Sequence, residues 1–126
     1  LGTAGSYGYQ EESWAYVSNS PLSNFKNNMH EGGISSPFIA WFPQKIKAGE
    51  IKKGTAHLID IAPTLYDIAG AAYPATFNGI QTNALAGVSL KDLLYKGTDL
   101  NRNEPIFWER AGNKAVRKGK WKLVKI

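Results

Sequence analysis

The chain has 126 residues, of which 43% are hydrophobic, and a formal net charge of +5. This length is enough for one ordinary core, and no apolar run approaches the roughly 20 residues that span a bilayer. The absence of cysteine excludes disulfide bonds. Seven basic and no acidic residues follow Glu109. A basic tail containing Trp121 could bind nucleic acid, but we expect a solvated sheet face and no nucleic-acid partner.

The first 28 residues are rich in Gly, Ser and Asn and lack a steady period. This composition predicts a long loop or an excursion that faces substrate. Trp14 and Tyr16 either pack this loop against the protein or line a substrate pocket.

A lysine, a Gly-Gly pair and an apolar run follow one another in residues 26–43. Gly32-Gly33 allows a positive φ and a tight reversal, and residues 38–42 predict a buried strand. Lys26 lies on the loop that leads to this strand, where α/β enzymes place groups that bind anionic substrates. Glu31 is expected to accept backbone amides and fix the loop.

Two helices are predicted further along the chain, after a solvated turn over residues 45–53. The first follows His57, an expected surface residue. It is capped by Asp60 and ends at Gly70. We expect its apolar stripe to belong to the core, and that stripe consists of Ile61, Leu65, Ile68 and Ala69. Residues 71–87 are predicted to form an exposed crossover. A capping box at Ser89 then begins a short helix that Gly97 ends.

Beyond Pro105 the apolar period changes to two, which predicts three strands over residues 106–110, 114–117 and 120–124. We expect an antiparallel sheet with Trp108, Trp121 and Leu123 pointing inward, and a domain boundary at residues 97–105.

Six segments in this order resemble the sulfatase family, and together they extend from about Trp14 to Val124. The most specific one runs from Lys26 through His30-Glu31-Gly32-Gly33 to residues 37–43. The others are residues 14–21, 57–70, 87–90, 107–109 and 115–124. The resemblance implies an α/β protein, the C-terminal part of an alkaline-phosphatase-like sulfatase fold that ends in a small antiparallel sheet. Residues 1–100 would end the catalytic domain, and residues 101–126 would begin the C-terminal subdomain.

By this resemblance, the parent enzyme would hydrolyse sulfate esters with a formylglycine nucleophile and calcium. The family makes formylglycine from the first residue of Cys/Ser-x-Pro-x-Arg. The serine candidate at Ser35 is rejected because Ile39 stands where that motif has arginine, and Glu11-Glu12 does not fit the pattern of the metal ligands. We therefore expect an inactive fragment of an enzyme, with no metal ligand of its own and with nucleophile and calcium ligands outside it.

The resemblance also assigns roles to individual residues and names partners. Lys26 matches the active-site lysine of the family and would contact a sulfate oxygen. His30 and Trp14 are candidates for substrate contact, as is Arg110, which stands where many relatives have histidine. The expected partners are a sulfate ester of an aryl or carbohydrate compound and the rest of the catalytic domain, in a periplasmic or secreted parent.

Three alternatives stay open from the sequence. A phosphatase, phosphodiesterase or phosphonate hydrolase of the same superfamily would share the fold. A non-enzymatic basic binding module and a catalytically dead sulfatase homologue are the other two. Residues upstream of Leu1 would distinguish these possibilities.

Overall fold

The computed structural model describes residues 4–5, 8–100 and 102–126, which combine helices with two small antiparallel sheets. The expected fold class, mixed helix and strand with a small antiparallel sheet at the C-terminus, is confirmed. The helices are α1 (Glu12–Asn19), α2 (Glu31–Ile34), α3 (Ile61–Ala69) and α4 (Lys91–Lys96). The strands are β1 (Thr76–Phe77), β2 (Ile80–Gln81), β3 (Ile106–Arg110), β4 (Asn113–Lys118) and β5 (Trp121–Lys125).

Helix α1 occupies part of the segment that was predicted to be a loop, so that prediction is wrong for these eight residues. Its polar composition is compatible with a helix because its side chains bond to the backbone one turn earlier. Ser18 Oγ donates to the carbonyl of Trp14, and Asn19 Nδ2 donates to that of Ala15, each at 2.8 Å. Glu12 adds a negative charge at the N-terminus of the helix, where the helix dipole favours it.

Residues 38–42 form no strand, and the prediction of a buried strand is wrong. Ile39 is 89% exposed and Trp41 is 84% exposed. A strand needs a neighbour to satisfy its backbone groups, and no described residue pairs with this segment. Phe42 packs on Tyr95 instead, with ring centroids 6.3 Å apart.

Helix α3 is confirmed, with a preceding 3₁₀ turn over Leu58–Asp60 and an end at Gly70, whose φ is +64°. The predicted cap and core stripe are wrong. Leu65 is exposed, whereas Asp60 and Thr64 are buried. Asp60 does not cap α3, because its carboxylate turns back to accept the His57 N–H at 2.7 Å.

Asp60 lies at the centre of a buried polar cluster. Its carboxylate also accepts the N–H of Val88 at 3.0 Å and forms an ion pair with Arg102. Nearby, Thr64 Oγ1 donates to the carbonyl of Asp60 at 2.6 Å and accepts the N–H of Leu90 at 2.9 Å. The polar contacts of Asp60 and Thr64 therefore determine which side of α3 is buried. A pattern of apolar residues does not reveal these contacts.

Helix α4 ends at Gly97 as predicted, but the capping box does not form. Ser89 Oγ donates to Asp67 Oδ2 at 2.6 Å, and Lys91 Nζ donates to Asp67 Oδ1 at 2.8 Å. Lys91 and, to a lesser extent, Ser89 therefore hold the pKa of Asp67 below its usual value. Between α3 and α4, strands β1 and β2 form a hairpin around Asn78-Gly79, where an exposed crossover was expected.

The three C-terminal strands form an antiparallel sheet in the order β3–β4–β5, as predicted. The predicted inward orientation is wrong for Trp121 and Leu123, which are exposed. Trp108 is half-buried and lies on the same face as the buried Ile106 and Ala115. Lys122 lies on the more buried face of β5, where its ammonium meets Glu31. Alternation along β5 then places its large apolar residues on the opposite face.

The described residues form two compact units. One contains residues of Leu1–Phe38 together with Glu104–Ile126, and the other contains those of Ile39–Asn103. The division into a catalytic domain ending at residue 100 and a C-terminal subdomain stays a prediction. Among the described helices, none has both the length and the apolar character required to cross a membrane.

Candidate functional site

Lys26 lies on a short loop between α1 and α2 that is held by its own asparagines. Asn24 and Asn27 have φ values of +63° and +78°, a left-handed conformation that asparagine adopts more readily than most residues. The N–H and the side-chain amide of Asn28 both donate to the carbonyl of Phe25, each at 3.1 Å. These contacts give the loop a defined path on both sides of Lys26.

Helix α2 packs directly against the backbone of this loop. A Cβ on Gly32 would lie 1.9 Å from the carbonyl oxygen of Asn24, and one on Gly33 would lie 2.0 Å from that of Asn28. Neither glycine has a positive φ, so the positive-φ reversal that this pair allows does not form. The glycines are needed because only their bare backbone fits against the loop.

His30 is tied into the same loop. Its Nδ1 accepts a hydrogen bond from Asn24 Nδ2 at 2.8 Å, and Asn24 Oδ1 accepts one from Tyr16 at 3.1 Å. This assignment places the proton of a neutral imidazole on Nε2. The Tyr16 ring also packs edge-on against Phe25, with centroids 5.0 Å apart.

Glu31 fixes α2 to the C-terminal sheet. Its Oε1 lies 2.7 Å from Lys122 Nζ and 3.6 Å from Arg117 Nη1. The expectation that Glu31 binds backbone amides is therefore wrong, because two cations of the sheet engage its carboxylate. The basic tail is thus partly neutralised by an acid 86 or more residues earlier in the chain.

Arg110 reaches the Lys26 loop from the end of β3. Its Nε donates to Asn27 Oδ1, and Asn113 Nδ2 donates to the carbonyl of Asn27 at 3.4 Å. The structure therefore brings Arg110 and His30 to the loop of Lys26. Trp14 lies on α1, outside the Lys26 loop, and the residue is 66% exposed.

Lys26 itself is exposed, and no hydrogen bond or ion pair engages its ammonium among the described residues. Every asparagine of the loop, by contrast, makes a side-chain hydrogen bond. The asparagines thus hold the loop at several points, and the Lys26 ammonium is unpaired within the described residues, an arrangement suited to contacting an anion.

The described residues do not fit a calcium site. They contain no cluster of three or more His, Cys, Asp or Glu side chains that could hold a metal ion. Calcium takes six to eight oxygen ligands.

Comparison with known proteins shows to which family this chain belongs. The family model described as "N-sulphoglucosamine sulphohydrolase, C-terminal" matches residues 24–125, which include Lys26, the part of its loop from Asn24 onward and the C-terminal sheet. The chain belongs to the sulfatase family. The expected membership, as the C-terminal portion of a sulfatase, is confirmed.

Sulfatases of several organisms are similar to this chain. An uncharacterized sulfatase of Schizosaccharomyces pombe is 28% identical over 100% of the chain and 23% of its own length. An arylsulfatase of Klebsiella aerogenes is 38% identical over 56% of the chain and 15% of its own length. The N-acetylgalactosamine-6-sulfatase of Mus musculus is 31% identical over 83% of the chain and 19% of its own length. The chain thus spans less than a quarter of each of these relatives.

Sequence reasoning did not identify the asparagines as part of the site. The left-handed tolerance of asparagine marks Asn24 and Asn27 as candidate turn residues, but it does not reveal their partners. Asn27 meets side chains 83 and 86 residues away in the chain. Only the fold brings these residues together.

Proposed function

We propose that this chain is the C-terminal part of a sulfuric ester hydrolase and that Lys26 is its contribution to the reaction. Two observations support this proposal. The matched family segment includes Lys26. Within the part of the chain that the structure describes, the Lys26 ammonium has no hydrogen-bond or ion-pair partner, and every asparagine of its loop makes a side-chain hydrogen bond.

The ammonium of Lys26 would contact a sulfate oxygen of the bound ester. Negative charge grows on the oxygens as the sulfur–oxygen bond to the alcohol breaks, so a fixed cation stabilises the transition state more than the ground state. Lysine suits this role as a compact point charge with three donors. A formylglycine nucleophile and calcium, both proposed to lie outside this chain, would supply nucleophilic attack and charge neutralisation.

The proposed substrate is a sulfate ester of an aryl or carbohydrate alcohol, in line with the names of the similar arylsulfatase and N-acetylgalactosamine-6-sulfatases. His30 would line the substrate side of the loop through Nε2, since Nδ1 is engaged by Asn24. The parent enzyme would act in the periplasm or outside the cell, and the rest of its catalytic domain would be the main partner of this chain.

The test is turnover of an aryl sulfate by the full-length enzyme. Lys26→Ala should lower kcat/KM by about 100-fold, the scale of losing one electrostatic stabiliser. Lys45→Ala, which removes an exposed lysine from the other compact unit, is the matched control and should change little. A near-normal rate for Lys26→Ala would refute the assigned role.

Two further measurements test whether the nucleophile lies outside this chain and whether the parent enzyme is a phosphatase. The purified 126-residue chain should not turn over the aryl sulfate, and saturable turnover would contradict a nucleophile located elsewhere. In the full-length enzyme, faster hydrolysis of the matching aryl phosphate than of the sulfate would favour a phosphatase of the same superfamily.

A further inference from the structure

We propose that Asn27 is a positioning residue, which orients Lys26 by joining its loop to the hairpin between β3 and β4. This inference rests on the proposed role of Lys26. It assigns Arg110 to the same positioning unit and not to direct substrate contact.

Asn27 is fixed at two different atoms. Its side-chain Oδ1 accepts from Arg110 Nε, and its backbone carbonyl accepts from Asn113 Nδ2. One bond alone would leave the residue free to rotate about that contact, whereas two bonds from separate atoms restrict that rotation. Because Lys26 precedes Asn27 directly, restricting Asn27 also restricts the backbone from which the Lys26 side chain extends.

The hairpin provides a firm support for these bonds. Arg110 and Asn113 are the last cross-strand pair before the turn, so their side chains lie next to each other on one face of the sheet. The turn residues Ala111 and Gly112 have φ values of +50° and +85°, the pattern of a tight two-residue hairpin turn. The spacing of the two donors is therefore fixed by the sheet.

The conformation of Asn27 explains the residue type. Its φ of +78° disfavours most side chains, which leaves glycine, asparagine and aspartate as the residues that adopt it readily. Glycine lacks an acceptor for Arg110, whereas aspartate retains one. Replacing Asn27 by glycine or by aspartate therefore distinguishes the need for a positive φ from the need for a side-chain acceptor.

The experiment compares Asn27→Gly with Asn27→Asp in the full-length enzyme, using an aryl sulfate as substrate. Asn27→Gly keeps the backbone conformation and removes the acceptor, so kcat should fall about tenfold, within the range of losses caused by a misplaced catalytic group. Asn27→Asp should remain within about threefold of the wild type, because a carboxylate binds Arg110 at least as well as an amide does.

The decisive measurement repeats Asn27→Gly and Arg110→Ala in the Lys26→Ala background. If both residues act through Lys26, neither should lower kcat/KM further by more than about twofold, because residues that act as a unit are non-additive. If Arg110→Ala lowers kcat/KM by the same factor in the Lys26→Ala background as in the wild-type background, the inference is overturned and direct substrate contact by Arg110 is supported.

The results for Lys26→Ala and Asn27→Gly distinguish a failure of the positioning role of Asn27 from a failure of the role proposed for Lys26. A near-normal Lys26→Ala enzyme refutes the role of Lys26 itself. A strongly impaired Lys26→Ala enzyme with a fully active Asn27→Gly enzyme refutes only the positioning role. If Asn27→Gly does not fold, Arg110→Ala alone and combined with Lys26→Ala gives the same comparison.

Discussion

Replacement of Gly32 by alanine should test how tightly α2 controls the Lys26 loop. The added Cβ would lie 1.9 Å from the carbonyl oxygen of Asn24, whereas non-bonded carbon and oxygen approach to about 3.3 Å, so the loop or helix must move by about 1.4 Å. The helix itself would favour the change, since alanine is better than glycine by about 1 kcal/mol in a helix interior. The clash is with backbone, which cannot rotate away, so we expect the clash to dominate.

In the full-length enzyme, Gly32→Ala should reduce the free energy of unfolding by about 1–3 kcal/mol, the usual cost of overpacking. It should also lower kcat/KM for an aryl sulfate by about 100-fold, because a shift of 1 Å at a catalytic group has that effect. Denaturant unfolding and steady-state kinetics measure the two effects.

Gly54→Ala is the matched control. Its Cβ would meet the end of the Leu93 side chain at 2.7 Å, and a flexible side chain can give way. This variant should keep normal kinetics, because residue 54 lies in the other compact unit. A Gly32→Ala enzyme that is more stable and fully active, as helix propensity alone predicts, would refute the reasoning.

Two further predictions concern the other compact unit of the full-length protein. Asp60→Asn should lower the free energy of unfolding by about 3–5 kcal/mol, because the nearly buried Arg102 loses its counter-charge. Urea denaturation measures this change, and a loss below about 1 kcal/mol would contradict a strong buried ion pair. For Asp67, the folded pKa lies below the ordinary 3.8 because Lys91 and Ser89 bind the carboxylate. The stabilisation that the ionised Asp67 carboxylate gives should therefore be complete above pH 3.8 and disappear as the pH falls through the folded pKa. The difference in free energy of unfolding between the wild type and Asp67→Asn should accordingly shrink in acid.

Local signals were sufficient for several elements. Gly70 and Gly97 end α3 and α4 in the left-handed conformation, as their positions predicted. The alternation after Pro105 predicted the three strands of the C-terminal sheet. The Asn78-Gly79 pair is an equally clear hairpin signal, and β1 and β2 pair on either side of it.

The errors arise where a distant partner decides the outcome. Lys122 lies on the more buried face of β5 because Glu31 binds it, and this reverses the expected orientation of Trp121. Asp60 turns away from α3 for a comparable reason, its pairing with Arg102. A sequence pattern contains the residue types but not these pairings.

The candidate site was predictable as a set of single residues. The family resemblance identified Lys26, His30 and Arg110 as candidates, and the fold brings His30 and Arg110 to the Lys26 loop. Their roles stay predictions. The role of Gly32 in close packing and the contacts of Asn27 required coordinates, since each depends on the approach of two separate segments.

The most direct test of the account is a crystal structure of the full-length enzyme with inorganic sulfate bound at its nucleophile. We predict that the Lys26 ammonium lies within about 3 Å of a sulfate oxygen, the distance of a charge-assisted hydrogen bond. A structure in which Lys26 points into solvent, away from the bound sulfate, would contradict the central claim.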